Sequence, residues 1–143
     1  MPIPTPEPGL VISYAYLWHF ESEKGLEEGR KNRPSVIVLR VERETDNATV
    51  VIVVPITHSP PTDPASAIET PASVKRHLGL DDERSWIVIR EGNEFDWPGY
   101  HLRKIAGSDR YDYGFLPPRF FNQVLRAYDA LRATGKGRLT PRD

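Results

Sequence analysis

Apolar positions along the chain fall into short dense blocks, and the two densest stand close together: SVIVLRVERE from residue 35 and ATVVIVVPIT from residue 48. Both are rich in β-branched residues. The first begins as a continuous apolar run and passes into alternation, with Val41 between Arg40 and Glu42, as expected of a strand leaving a core. Thr45, Asp46 and Asn47 between them are turn residues, so residues 34 to 57 read as an antiparallel hairpin. Pro34 can open its first strand.

Upstream, Leu10 to Trp18 is aromatic and β-branched enough for a strand, and Glu21 to Asn32 reads as a polar loop with glycines at 25 and 29. Downstream, the prolines of HSPPTDP demand a loop. A short extended piece, Ala67 to Glu69, precedes a small helix that Thr70 can cap, with Pro71 at its first position and Gly79 beyond its end at Leu78. SWIVIRE (85 to 91) predicts a strand, FDWPG a turn, and YHLRKI (100 to 105) a weaker strand. Pro117 and Pro118 open a last helix, whose Phe120, Phe121, Val124, Leu125, Tyr128 and Leu131 form one apolar stripe ending before Gly135. The order predicts a mainly β, single-domain protein: an extended proline-rich arm (1 to 8), a small barrel (9 to 105) with an interposed helix, and a C-terminal packing helix (117 to 134).

Composition narrows the function classes. A chain of 143 residues is long enough to bury one real core. The absence of cysteine excludes disulfides and thiolate metal sites, and His19, His58, His77 and His101 are scattered without ligand-like spacing, so neither a metal nor another cofactor is expected. The N-terminus has no basic segment, and the apolar run from Leu10 to Phe20 is broken by Ser13 and His19 and is too short to span a bilayer, which predicts a cytoplasmic protein. The net charge of −1 divides unevenly. Residues 1 to 109 hold 12 Lys/Arg and 17 Asp/Glu, residues 110 to 143 hold 7 and 3, so a polyanion would be met by local patches.

One such patch precedes the hairpin, where Arg30, Lys31 and Arg33 fall within four residues of Pro34. The second strand ends Thr57, His58, Ser59, and a hairpin turning at 45 to 47 brings Arg33 and Thr57 to one rim. A guanidinium fork and a hydroxyl together suit a phosphate. Glu27 and Glu28 in the preceding loop would either act as a general base or neutralise the cations, and His58 is a candidate proton carrier at neutral pH. Tyr14, Tyr16, Trp18, Phe95 and Trp97 would stack bases or fill the core.

These segments resemble a known family. KGLEEGRKNRPSVIVL is similar to the loop and first hairpin strand of the PemK/MazF toxins, VVPIT to their second strand ending Val-Pro-x-Thr, and PGLVISYAYLW to their opening strand. The resemblance spans roughly residues 8 to 99. It implies an SH3-like barrel, a homodimer, a cognate antitoxin as partner, and metal-independent cleavage of single-stranded RNA. By motif position Arg33 matches the catalytic arginine, Thr57 the phosphate-contacting threonine, and Glu27 or Glu28 the acidic loop residue. The loop from Gly25 to Arg33 is one residue longer than the familiar pattern. Many members carry Asp-Gln where this chain has Glu91, Gly92 and Asn93. RNA contacts are expected from Arg30, Lys31, Ser59, Arg90, Asn93 and Trp97. The same pairing of Arg33 with Thr57 would also serve a non-catalytic binding module, or a toxin acting on a protein such as a topoisomerase.

Overall fold

The computed structural model describes residues 2–26, 29 and 31–143. In chain order the elements are β1 (Leu10–Tyr14), α1 (His19–Glu23), β2 (Arg33–Glu42), β3 (Thr49–Thr57), β4 (Ala67–Glu69), α2 (Ala72–Leu78), β5 (Trp86–Val88), β6 (Glu91–Asp96), β7 (Asp112–Phe115), α3 (Pro118–Ala133) and β8 (Arg138–Pro141). The strands form one mainly antiparallel sheet in the order β4-β5-β3-β2-β1-β7, with β6 on β3 and β8 parallel to β6. The sheet does not close on itself.

The predicted hairpin is its centre: Ser35 pairs with Pro55 and Glu42 with Thr49. A register shift between Ile37 and Leu39 marks a bulge. The apolar runs are continuous because both faces of the sheet are covered. Val36, Val38, Ile52, Val54 and Ile56 face a cluster that α2 and α3 close with Val74, Leu78, Phe120, Val124 and Tyr128. Ile37, Val51 and Val53 face a second cluster containing Ile12, Tyr14, Tyr16 and Phe95. Tyr14 and Phe95 stack there with ring centroids 4.7 Å apart.

Several elements differ from expectation. The strand from Leu10 stops at Tyr14, and the predicted loop begins instead with α1, whose entry is held by the Glu21 carboxylate accepting the Trp18 backbone N–H at 3.0 Å. Trp18 is not among the usual N-cap residues, which hid this helix. Helix α2 starts one residue later than predicted, with Pro71 as its N-cap. The hydroxyl of Thr70 has no hydrogen-bond partner among the described residues.

The run 85 to 91 is split. β5 pairs with Ile56 and Thr57, β6 with Val50 to Val53, and the chain between them loops out opposite Val54 and Pro55. Pro55 supplies no ladder donor there. The FDWPG segment turns after β6, through a cis Trp97–Pro98 bond and Gly99 at φ 68°. Residues 100 to 105 make no strand, only a bridge from Leu102 to Tyr14. The edge of β1 is taken by β7 instead. Helix α3 buries Phe120, Val124 and Tyr128, and beyond Gly135 the chain returns as β8. Among the described residues no helix is long and apolar enough to cross a membrane.

Candidate functional site

Continuing the Ser35–Pro55 pairing by two residues brings Arg33 opposite Thr57. The two line a common groove of about 420 Å³ together with Trp18, Ser59, Arg90 and Glu91. Thr57 is buried, and its Oγ1 accepts the Ser59 backbone N–H at 3.2 Å, which leaves the hydroxyl proton to donate.

Arg33 is half-buried, with its Cζ 5.1 Å from the centroid of the Trp18 ring. Burial pulls its pKa down, and the nearby charge of Glu21 resists that shift. Among the described residues its guanidinium makes no hydrogen bond or ion pair. Other arginines of the sheet and its edges are ion-paired: Arg43 to Asp46 and Asp96, Arg84 to Glu69, Arg40 to Glu7 and Glu42. A half-desolvated guanidinium whose donors make no hydrogen bond among the described residues has the chemistry to receive an oxyanion.

The Trp18 platform is itself braced. Glu91 Oε1 accepts both the Tyr16 hydroxyl and the His19 backbone N–H, each at 3.0 Å. Burial first, and the Glu91 carboxylate second, hold the Tyr16 hydroxyl well above its ordinary pKa, so it stays a donor. On the other side Asn93 receives the Leu17 N–H on Oδ1 and donates Nδ2 to the Leu17 carbonyl, both at 2.9 Å. Arg142 adds hydrogen bonds to Asn93 Oδ1 at 3.0 Å and to the Ala15 carbonyl at 2.9 Å. Gly29 is pressed so close to this segment that a Cβ would stand 2.0 Å from the Tyr16 carbonyl oxygen.

The sequence-predicted residues therefore separate. Arg33, Thr57, Ser59 and Arg90 share the groove, and exposed Lys31 lines two neighbouring concavities that also include Arg33. Asn93 is fully buried and its amide is occupied by Leu17, so it supports the groove from behind rather than facing a ligand. Trp97 stacks on Phe95, and its N–H is bonded to Thr49, at the end of β3 opposite Thr57, ~26 Å away at strand rise. Tyr14, Tyr16 and Phe95 are core residues, and of the five candidate aromatics Trp18 alone lines the groove. Glu27, Glu28 and Arg30 lie outside the described residues.

His58 is exposed on the far side of Thr57. Its Nδ1 donates to the Arg84 carbonyl at 2.9 Å, and its Nε2 lies 3.0 Å from Asp81 and 3.8 Å from Glu83. Ligand atoms of these three side chains all fall within 4.8 Å of one another, a grouping that could hold a cation and that their wide sequence separation concealed. Sequence reasoning also passed over Glu21, and met Glu91 only as the residue standing where the resembling family carries Asp-Gln, not as the brace beneath Trp18. Tryptophan ahead of Glu21 carries no capping-box signal, and the partners of Glu91 stand 72 and 75 residues away in the chain.

A scan of protein-family models, a search of curated proteins and a search of solved structures each find no match to this chain.

Proposed function

We propose that this protein is a metal-independent endoribonuclease of the PemK/MazF type, built on an SH3-like barrel and acting as the toxin of a toxin-antitoxin pair. The observation that carries the reading is the Arg33 guanidinium, which among the described residues makes no ion pair, held over Trp18 beside Thr57, whose hydroxyl proton is left to donate, at the mouth of an open groove. The groove is chemically suited to a phosphodiester. Arg33 and Thr57 would grip the non-bridging oxygens, Arg90 and Ser59 would meet the flanking strand, and Trp18 would offer a face to a base.

In the proposed reaction the 2′-hydroxyl attacks the adjacent phosphorus and loses its proton to a carboxylate, while the P–O5′ bond breaks and the leaving 5′-oxygen takes a proton from water. The products are a 2′,3′-cyclic phosphate and a 5′-hydroxyl. Arg33 stabilises the crowded phosphorane between them, a role whose removal costs about 3 kcal/mol of barrier, roughly a hundredfold in rate. Glu27 or Glu28 is the expected base. Among the described residues the groove holds one carboxylate, Glu91, whose Oε1 is occupied, leaving Oε2 for the same task. The remaining parts of the reading are a homodimer and an antitoxin that covers the groove.

Purified protein on a long single-stranded RNA in excess EDTA is the test. Cleavage with 2′,3′-cyclic ends, lost on a substrate with one 2′-deoxy at the cut position and reduced about a hundredfold in Arg33→Ala and most of the way in Arg33→Lys, is the expected result. An unaltered rate in both variants removes Arg33 from the reaction, and cleavage of the deoxy substrate removes the internal attack.

A further inference from the structure

Behind the Arg33–Thr57 pair, on the side away from the groove, lies a second cavity of about 320 Å³ between the ends of β2 and β3 and helix α2. Its charged lining is mostly cationic: Lys31, Arg33 and Lys75 against the single carboxylate of Asp81. Lys75 is unusual in being 5% exposed, since lysine is almost never fully buried unless something requires it. Its Nζ donates to Asp81 Oδ1 at 3.3 Å, which uses one of three donors. Ser85, another lining residue, is 2% exposed, and its Oγ is buried without a partner among the described residues. A buried ammonium with donors to spare and an unsatisfied buried hydroxyl are costs that a bound acceptor would remove.

We infer that this cavity is a second phosphate subsite, which takes the nucleotide next along the strand from the one whose phosphate meets Arg33. The inference rests on the ribonuclease reading for the word "strand", but the binding chemistry stands by itself. Apolar wall comes from Pro34, Ile56, Leu80 and Tyr113, beside the polar Asn32, Thr57 and His58, and the volume exceeds what a bare phosphate needs. Both points select a phosphate that carries a sugar and base. Asp81 is the competitor. It is half-exposed and occupies Lys75 in the position an incoming phosphate oxygen would take, so the nucleotide binds by displacing it toward solvent.

The test is equilibrium binding of each of the four nucleoside 3′-monophosphates and of inorganic phosphate to wild type, Lys75→Met, Lys31→Gln and Asp81→Asn. Lys75→Met weakens the nucleotides about tenfold or more, the loss expected of a charged hydrogen bond. Asp81→Asn tightens them several-fold, and Lys31→Gln, on the surface and safe for folding, weakens them several-fold. The opposite signs at Lys75 and Asp81 separate a binding site from a general loss of structure, and Asp81→Asn and Lys31→Gln decide the matter if Lys75→Met fails to fold. Equal affinity across the folded variants overturns the inference, as does inorganic phosphate binding as tightly as the nucleotides. The expected pattern in a protein that cleaves no RNA keeps this site and removes the ribonuclease reading. Arg33-dependent cleavage with unaltered nucleotide binding across the variants does the reverse.

Discussion

Asn93→Ala tests how the Trp18 platform is held. The amide of Asn93 is fully buried and satisfies both backbone groups of Leu17, at 2.9 Å each, while also accepting from Arg142. Truncation leaves a buried N–H and a buried carbonyl without partners, each costing about 1–3 kcal/mol, and removes a charge-assisted acceptor. The sum is roughly 3–5 kcal/mol, or a fall in Tm of roughly 10–15 °C for a domain of this size. Leu17 directly precedes Trp18, so the proposed RNA affinity is expected to fall with stability. Calorimetry of Asn93→Ala, Arg142→Ala and the double variant measures the coupling, which is expected to be strongly non-additive because the two side chains share one network. A folded Asn93→Ala with Tm within 3 °C of wild type would refute the reasoning. Lost RNA binding at unchanged Tm would place Asn93 against the ligand instead.

Three further outcomes follow from the same geometry. Gly29→Ala forces a Cβ into the Tyr16 carbonyl and is expected to destabilise by about 1–3 kcal/mol and to lower cleavage at temperatures where the fold persists; wild-type behaviour by thermal melt and assay would contradict the contact. Trp18→Leu removes the face beneath Arg33 and is expected to weaken binding of an uncleavable deoxyoligonucleotide about 3- to 30-fold, read by titration at fixed salt. Acid destabilises the hairpin end and the β4–β5 edge. Hydrogen bonds from Arg43 hold the Asp46 carboxyl below its usual range and those from Arg84 do so for Glu69, so their stabilisation is complete above the ordinary carboxylate range near roughly pH 4 and is lost as pH falls through the depressed values. Melts from pH 6 to 2 check the sign, and because these pairs are exposed the effect is expected to be small and to shrink in high salt.

The parts of this fold that were legible in the sequence are those specified by neighbours in the chain. The β2–β3 hairpin follows from two β-branched runs around Thr45, Asp46 and Asn47, α2 from Pro71 and Gly79, and α3 from its apolar stripe. The rest depended on distant partners. Asp112–Phe115 is a strand because the edge of β1 is there to receive it, and its aspartate and glycine give no strand signal by themselves. The same holds for Arg138–Pro141, which exists as a strand only against β6. In the site, Arg33 and Thr57 came together through local register alone. Asn93 was misread as a ligand contact because its sequence neighbours gave no sign of Leu17, 76 residues away, as its partner.

The reach of Arg142 to the Ala15 carbonyl, across 127 residues, sets an order of events during synthesis. β2 and β3 can pair as soon as Thr57 is available, but the brace beneath Trp18 needs β6 and then β8, which is held parallel to β6. A growing chain thus has its Arg33–Thr57 pair long before it has the support that aims it. The brace beneath Trp18 is therefore completed only once residue 142 is available to fold, well after the hairpin that carries Arg33 and Thr57.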